Sequence, residues 1–108
     1  MPDRTPAAVG LIRLDIPAVD IDLHILAERN GCRLLYTVKT NARPFVTAHA
    51  LARYAAEYDA RAVIVPGIAH ADAIRHIITE NAALITPRRV YPRGYRWDAE
   101  DLACHGES

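Results

Sequence analysis

The most apolar stretch of the chain, Ala62–Val65, lies in the middle of Arg61–Gly67 and is β-branched at three of its four positions. A strand with one face in water alternates apolar and polar residues, whereas a strand covered on both faces does not. The run therefore predicts a central strand with helices packed above and below it. Pro66 and Gly67 end this strand, because proline donates no backbone hydrogen bond and glycine tolerates a sharp turn.

Segments of strand-like and helix-like patterning alternate along the rest of the chain. The order β-α-β-α-β-α-β predicts a three-layer α/β sandwich with a mostly parallel sheet of four or five strands. The predicted bounds, in chain order, are strand Val9–Asp15, helix Ala18–Asn30, strand Cys32–Lys39, helix Pro44–Tyr58, the central strand, helix His70–Asn81, strand Ala83–Thr86 and an edge strand at Val90 and Tyr91.

The sequence signals for the three predicted helices differ in strength. In the first, Val19–Ile25 alternates as a strand does, but Asp20 and Asp22 suit a helical first turn and Gly31 suits a cap after its end, so we predict a helix. Pro44 suits the first position of the second helix. The apolar stripes that we expect to face the sheet are Phe45, Ala48, Ala52 and Ala55 in the second helix, with Leu51 and Tyr58 beside them, and Ala71, Ile74, Ile77 and Ile78 in the third.

The amino-acid composition is that of an ordinary globular protein. The 108 residues are 51% hydrophobic and 24% charged, which suits one folded domain, and only the last segment, 98–108, is expected to be a poorly ordered tail. Thirteen basic and thirteen acidic residues cancel, so no overall charge favours nucleic acid or membrane. Lys39 is the only lysine, and the excess of arginine and alanine indicates a GC-rich bacterial genome.

The sequence also predicts location and redox state. No signal peptide or membrane-spanning run is present, so we expect a cytoplasmic protein without a membrane partner. Cys32 and Cys104 lack a C-x-x-C spacing, and two reduced thiols are expected. No histidine pair has metal-ligand spacing, and no glycine-rich phosphate loop follows the first strand, so we predict neither a metal nor a cofactor.

Polar residues follow several predicted strands at one edge of the sheet, where α/β proteins place their sites. Arg13, Asp15 and Arg43 are candidates for anion binding, because two guanidinium groups beside a carboxylate suit a phosphoryl group. His70 is expected at the same edge. The alternative is that Asp15 caps the first helix while the arginines are solvated or paired with acids.

Three short motifs resemble the catalytic domain of the resolvase/invertase (serine recombinase) family: GLIRLD at Gly10–Asp15, ARPF at Ala42–Phe45 and DARAVIVP at Asp59–Pro66. In that family the first strand ends Arg-x-Ser, the serine being the nucleophile. A second arginine precedes the helix after strand two, and an Asp-Arg-x-x-Arg cluster follows strand three. The resemblance matches Arg13 and Arg43 to the first two arginines.

Two departures from that family pattern bear on function. The nucleophile's position holds Asp15, whose carboxylate would repel a phosphate, and Gly67–Asp72 contains none of the expected arginines. The resemblance therefore implies a fold kept without recombinase chemistry, with no catalytic residue. The leading hypothesis is a non-catalytic resolvase-like protein that acts through protein–protein contacts as a homodimer. A small phosphoryl-transfer or hydrolytic enzyme using Asp15 is an alternative.

A basic and aromatic segment near the end of the chain supports another hypothesis. Its arginines could contact phosphates and its aromatic rings could stack on bases, as in a DNA-binding accessory factor. The alternative is an edge segment that arginine keeps soluble, with its rings packed on the body of the protein or on a second subunit. The candidate residues are Arg88, Arg89, Tyr91, Arg93, Tyr95, Arg96 and Trp97.

Overall fold

A computed structural model describes residues 5–16 and 21–97 of the chain. The predicted tail, 98–108, and the predicted start of the first helix lie outside these ranges, as does Cys104. The described elements, in chain order, are β1 (Ala7–Arg13), α1 (Leu23–Arg29), β2 (Arg33–Thr40), α2 (Pro44–Tyr58), β3 (Ala60–Ile64), a 3₁₀ turn (Ile68–His70), α3 (Arg75–Asn81), β4 (Ala83–Ile85) and β5 (Val90–Tyr91).

The five strands form one sheet in the order β2-β1-β3-β4-β5. The first four strands are parallel, and the two-residue β5 pairs antiparallel with β4 at the edge. The predicted fold class and the edge position of the fifth strand are therefore confirmed. Strand order reverses between β1 and β3, because α1 leads from β1 to β2 on one side while later connections lead to β4 on the other.

The helices cover both faces of the sheet, which gives three layers. On one face, Val63 of the central strand packs in a cluster with Leu51 of α2 and Ile78 of α3. On the other, Ile64 packs with Leu26 of α1. The unbroken apolar run of β3 thus reflects burial on both faces, as predicted.

Strand and helix bounds in the first half differ from those predicted. β1 lies two residues earlier than expected, because pairing with two neighbours extends a strand over alanines that have little intrinsic strand preference. α1 begins only at Leu23, since the Asp22 carboxylate accepts hydrogen bonds from the backbone N–H groups of His24 and Ile25 and so caps the helix. Gly31 follows α1 with φ of 72°, which confirms the predicted glycine at that end.

The second helix has the predicted bounds, and Ala48, Leu51 and Tyr58 pack on the core as predicted, but the rest of the predicted buried stripe is wrong. Phe45 and Ala52 are exposed, whereas Thr47 and Leu51 are buried against the sheet. Alanines occur on several sides of this helix, so their spacing did not define one face. The buried face is instead set by a leucine and by a threonine whose hydroxyl is hydrogen-bonded inside the protein.

The third helix was predicted to start at His70, which is wrong by five residues. The chain first forms the 3₁₀ turn Ile68–His70 and then further tight turns, in which the Ile74 N–H donates to Ala71 O at 2.9 Å. These turns bury Ala71 and Ile74 in the core. The apolar positions of the segment were thus predicted, but a 3₁₀ turn, in which His70 accepts a hydrogen bond from Arg13, takes the place of the first part of the helix.

Candidate functional site

A cleft of about 340 Å³ opens at the carboxyl ends of β1 and β3, where the strand order reverses. Ligands of open α/β sheets bind at this position, because the loops after the two strands diverge there. We call it the switch-point cleft. Its lining residues are Arg13, Asp15, Ile16, Pro44, Ala69, His70, Asp72, Ala73 and Ile74.

The guanidinium of Arg13, the last residue of β1, is hydrogen-bonded to neighbouring residues of the fold. Nε and Nη2 donate to the two Asp15 carboxylate oxygens at 3.1 and 3.4 Å. Nη1 donates to the backbone oxygen of Ala42 at 2.6 Å and to Thr47 Oγ1 at 3.0 Å. All three nitrogens therefore make intramolecular hydrogen bonds, which fix the loop before α2 against the end of β1.

Asp15 is exposed in the turn that follows β1, and its charge is balanced by Arg13. The hydrogen bond from this guanidinium lowers the pKa of the Asp15 carboxyl from its ordinary value of 3.8. The pair therefore adds no net charge to the cleft at neutral pH. The predicted alternative, an arginine paired with an acid, describes Arg13 and Asp15, whereas the cap of α1 is Asp22 and not Asp15.

His70 is 3% exposed and closes the 3₁₀ turn after β3. The backbone N–H of Arg13 donates to His70 Nδ1 at 2.9 Å. In the neutral ring the proton therefore lies on Nε2, because Nδ1 is the acceptor. This bond joins the end of β1 to the turn after β3, so His70 holds these two sides of the cleft together.

Thr47 and Asp72 belong to this site but were not predicted from the sequence. The Thr47 hydroxyl accepts a hydrogen bond from Arg13 and donates one to Ala42 O at 3.3 Å, so it links the arginine to the loop before α2. Asp72 Oδ1 accepts from Nη1 of the buried Arg75 at 3.4 Å. Two spacings in the sequence could have indicated these residues. Thr47 lies one helical turn before Leu51, and Asp72 lies three residues before Arg75, a spacing that allows an ion pair.

The structure does not bring Arg43 into the switch-point cleft. Arg43 occupies the position before α2, is exposed, and makes no side-chain hydrogen bond among the residues that the structure describes. Of the four anion-binding candidates, Arg13, Asp15 and His70 lie together and Arg43 lies apart. The cleft thus combines a neutralised arginine with a second carboxylate, Asp72, rather than two available guanidinium groups.

The aromatic residues of the basic segment pack on one another and on α3. Tyr91, Tyr95 and Trp97 form a cluster with ring centroids 4.6–5.1 Å apart. Trp97 lies over the guanidinium of buried Arg75 at 4.5 Å, and its Nε1–H donates to Thr79 Oγ1 at 2.9 Å. The rings therefore serve first to hold this segment against the protein body, as the alternative interpretation expected.

The arginines of this segment differ in their contacts. Arg89 lies over Tyr91 at 5.0 Å and donates from Nη2 to the Tyr95 hydroxyl at 3.3 Å. Arg88, Arg93 and Arg96 are exposed, and none of the three forms an ion pair within residues 5–16 and 21–97. Within those ranges, three arginines without an acidic partner thus lie along one short stretch of surface, and the acids Asp98, Glu100 and Asp101 follow them in the sequence.

Large apolar side chains are exposed beside the switch-point cleft. Leu14 follows β1 and is 62% exposed, while Phe45 and Val46 begin α2 and are 82% and 58% exposed. The Leu14 N–H donates to Thr40 O at 2.9 Å, which places this residue next to the end of β2. We call Leu14, Phe45 and Val46 the rim patch.

In the described ranges, no group of three or more His, Cys, Asp or Glu side chains could hold a metal ion. Cys32 is a free, buried thiol, and burial raises its pKa. None of the described helices is long and apolar enough to span a bilayer. Comparison of the chain with protein-family models, curated proteins and solved structures gave no match.

Proposed function

We propose that this chain is a non-catalytic, resolvase-like protein that acts through protein–protein contacts as a homodimer. The arrangement at the switch-point cleft supports the first part of the proposal. Arg13, which the family resemblance matches to a catalytic arginine, donates to Asp15, Ala42 and Thr47. A guanidinium held in this way and neutralised by a carboxylate is a poor ligand for the phosphate of a nucleic acid.

The exposure of the rim patch is the observation that carries the second part. Scattered surface leucines are ordinary, but three large apolar residues at one rim, including a phenylalanine that is 82% exposed, are typical of an interaction surface. Aromatic side chains are enriched at the centre of such interfaces. A second copy of the chain offers an identical patch, and most soluble homo-oligomers are symmetric dimers.

Sedimentation velocity tests the proposal over a wide concentration range. We expect the natural chain to dimerise with micromolar or tighter affinity and Phe45→Ser to be monomeric at the same concentrations. Ile25→Ser is the matched control, because Ile25 is 49% exposed on α1, which covers the opposite face of the sheet. A natural chain that stays monomeric at millimolar concentration, or a dimer that is equally weakened by both variants, would refute the rim patch as a dimer interface.

A DNA-binding accessory factor is the second candidate function. The observation that favours it is the exposure of Arg88, Arg93 and Arg96 without acidic partners among the described residues. Since the rings of Tyr91 and Trp97 are occupied by internal contacts, binding would rest on phosphate contacts. It predicts a retarded DNA band at low salt that is lost when Arg88, Arg89 and Arg93 are replaced by alanine.

The enzyme hypothesis draws less support from this geometry. It required Arg13 and Arg43 to hold an anion near Asp15. Arg43 is outside the cleft, and Arg13 donates to the very carboxylate that would act as nucleophile or base. A carboxylate paired in this way is a weaker base, since the pairing lowers its pKa.

A further inference from the structure

A second, larger cleft opens at the carboxyl ends of β3 and β4. Its volume is about 570 Å³, within the range of small-molecule sites. One wall is the loop that leaves β3, and the other is the turn of the β4–β5 hairpin. We call it the hairpin cleft, and its lining residues are Ile21, Pro66, Gly67, Ile68, Thr86, Pro87, Arg88, Arg89 and Tyr91.

The lining of the hairpin cleft is apolar apart from two cations and a threonine. Among the lining residues that the structure describes, none carries a carboxylate, and Arg88 and Arg89 are the charged ones. Arg89 is held over Tyr91 by ring contacts. Arg88 is exposed, and within the described part of the chain its guanidinium makes neither a hydrogen bond nor an ion pair. A cation at the mouth of an apolar cavity suits an anion with an apolar body.

The turn that carries Arg88 is held in one conformation by the chain itself. The Thr86 N–H and hydroxyl both donate to Arg89 O at 2.9 Å, and the Arg89 N–H donates to Thr86 Oγ1 at 3.0 Å. Beyond this turn, Ile85 pairs with Val90. A wall fixed before the ligand arrives loses less entropy on binding than a mobile loop does.

We propose that the hairpin cleft binds a small organic carboxylate with an apolar body, such as an aromatic acid. Its carboxylate pairs with the guanidinium of Arg88, which can donate two parallel hydrogen bonds to such a group. Its apolar body lies against Pro66, Ile68 and Pro87, which supply the apolar contact area. This site is separate from the switch-point cleft and from the rim patch, so it does not depend on the function proposed above.

Titration of the ¹⁵N-labelled full chain with 2-naphthoate, followed by amide chemical shifts, tests this proposal. We expect saturable shifts at the loop after β3 and at the hairpin turn. Arg88→Gln should weaken binding about tenfold or more, the scale of one charge-assisted hydrogen-bonded contact. Arg93→Gln is the matched control, an exposed arginine of the same segment that does not line the cleft, and it should change affinity by less than about twofold.

A second variant fills the cleft without disturbing the backbone. Gly67 has an extended conformation with φ of −172°, and a Cβ placed there meets no atom within 4 Å. Gly67→Leu should therefore fold normally and lose binding of 2-naphthoate. An unchanged affinity in this variant, verified as folded by its amide spectrum, would show that the ligand does not occupy the cleft.

Two other results would also overturn the proposal. The first is the absence of saturable shifts up to millimolar 2-naphthoate. The second is equal weakening by Arg88→Gln and Arg93→Gln, which indicates diffuse charge attraction rather than a site. If a single-stranded oligonucleotide binds, depends equally on Arg88, Arg93 and Arg96, and is not displaced by 2-naphthoate, the segment is a nucleic-acid surface instead.

Discussion

The switch-point cleft and the hairpin cleft lie at the same edge of the sheet but use their arginines in opposite ways. The loop after β3 separates them, with Ala69 and His70 lining the first and Gly67 and Ile68 lining the second. In the first, the lining arginine is neutralised and hydrogen-bonded inside the fold. In the second, two cations line an apolar cavity, and no carboxylate is found among its described lining residues.

This difference shows that position in the fold and availability for binding are separate properties. The point where strand order reverses is where α/β proteins commonly bind ligands. Here the arginine at that point joins the loops after β1 and β2 and so supports the fold. The arginine outside the reversal point, Arg88, makes no such contact with the residues that the structure describes, which suits it to a ligand or partner.

The largest expected effect separates these two roles directly. Arg13→Ala should lower the free energy of unfolding by about 2–3 kcal/mol, because it removes hydrogen bonds that a charged group makes to Ala42 and the buried Thr47. Arg88→Ala should change it by less than about 0.5 kcal/mol, as exposed substitutions usually do. Urea unfolding with unchanged m-values measures both. Equal effects at the two positions would remove the proposed contrast.

An intermediate effect is expected at His70, which holds the switch-point cleft together from below. His70→Asn keeps an oxygen acceptor near the place of Nδ1, whereas His70→Ala leaves the Arg13 N–H without that partner. The free energy of unfolding of His70→Asn should therefore exceed that of His70→Ala by about 1–2 kcal/mol, the cost of an unsatisfied buried donor. Urea unfolding of both variants provides the measurement.

The exposed His76 of α3 supplies the control for that pair of substitutions. At His76 alanine should be at least as stable as asparagine, because alanine has the higher helix preference and no buried donor is involved. If the two His70 variants were equally stable, or ranked as at His76, the hydrogen bond to His70 would not be what joins the two loops.

Much of the fold could be predicted from the sequence, because it depends on features that act locally or through burial. Pro44 is a clear sequence signal for the start of α2, whereas the left-handed conformation of Asp59 after its end was seen only in the structure. The apolar run in β3 indicated a strand covered on both faces. These features leave little freedom for long-range contacts to shift the elements.

The candidate site was less predictable, because its key contacts join residues far apart in the chain. The sequence placed Arg13, Asp15 and His70 at one edge, but not the bond from Arg13 N–H to a ring 57 residues later. Thr47 was missed because its spacing from Leu51 was the one sequence signal for its burial, and threonine is mostly exposed. Arg75 was missed because guanidinium groups are seldom buried, and its aromatic partner is Trp97, far along the chain.

The smallest expected effect tests whether Arg13 and Asp15 neutralise each other. Because Arg13 lowers the pKa of folded Asp15 below its ordinary value of 3.8, the ionised carboxylate stabilises the fold above that pH. This contribution is lost as the pH falls through the lower, folded value. Natural protein should therefore be slightly more stable than Asp15→Asn at pH 7, and this advantage should shrink below pH 3.8.

Repeating the pH series in an Arg13→Ala background identifies the cause. Without the guanidinium, the pH-dependent difference between aspartate and asparagine at position 15 should largely disappear, as a double-mutant cycle would show. A difference that persists would mean that backbone groups, not Arg13, stabilise the carboxylate. Arg13 would then retain its charge toward the switch-point cleft, and the contrast with the hairpin cleft would rest on geometry alone.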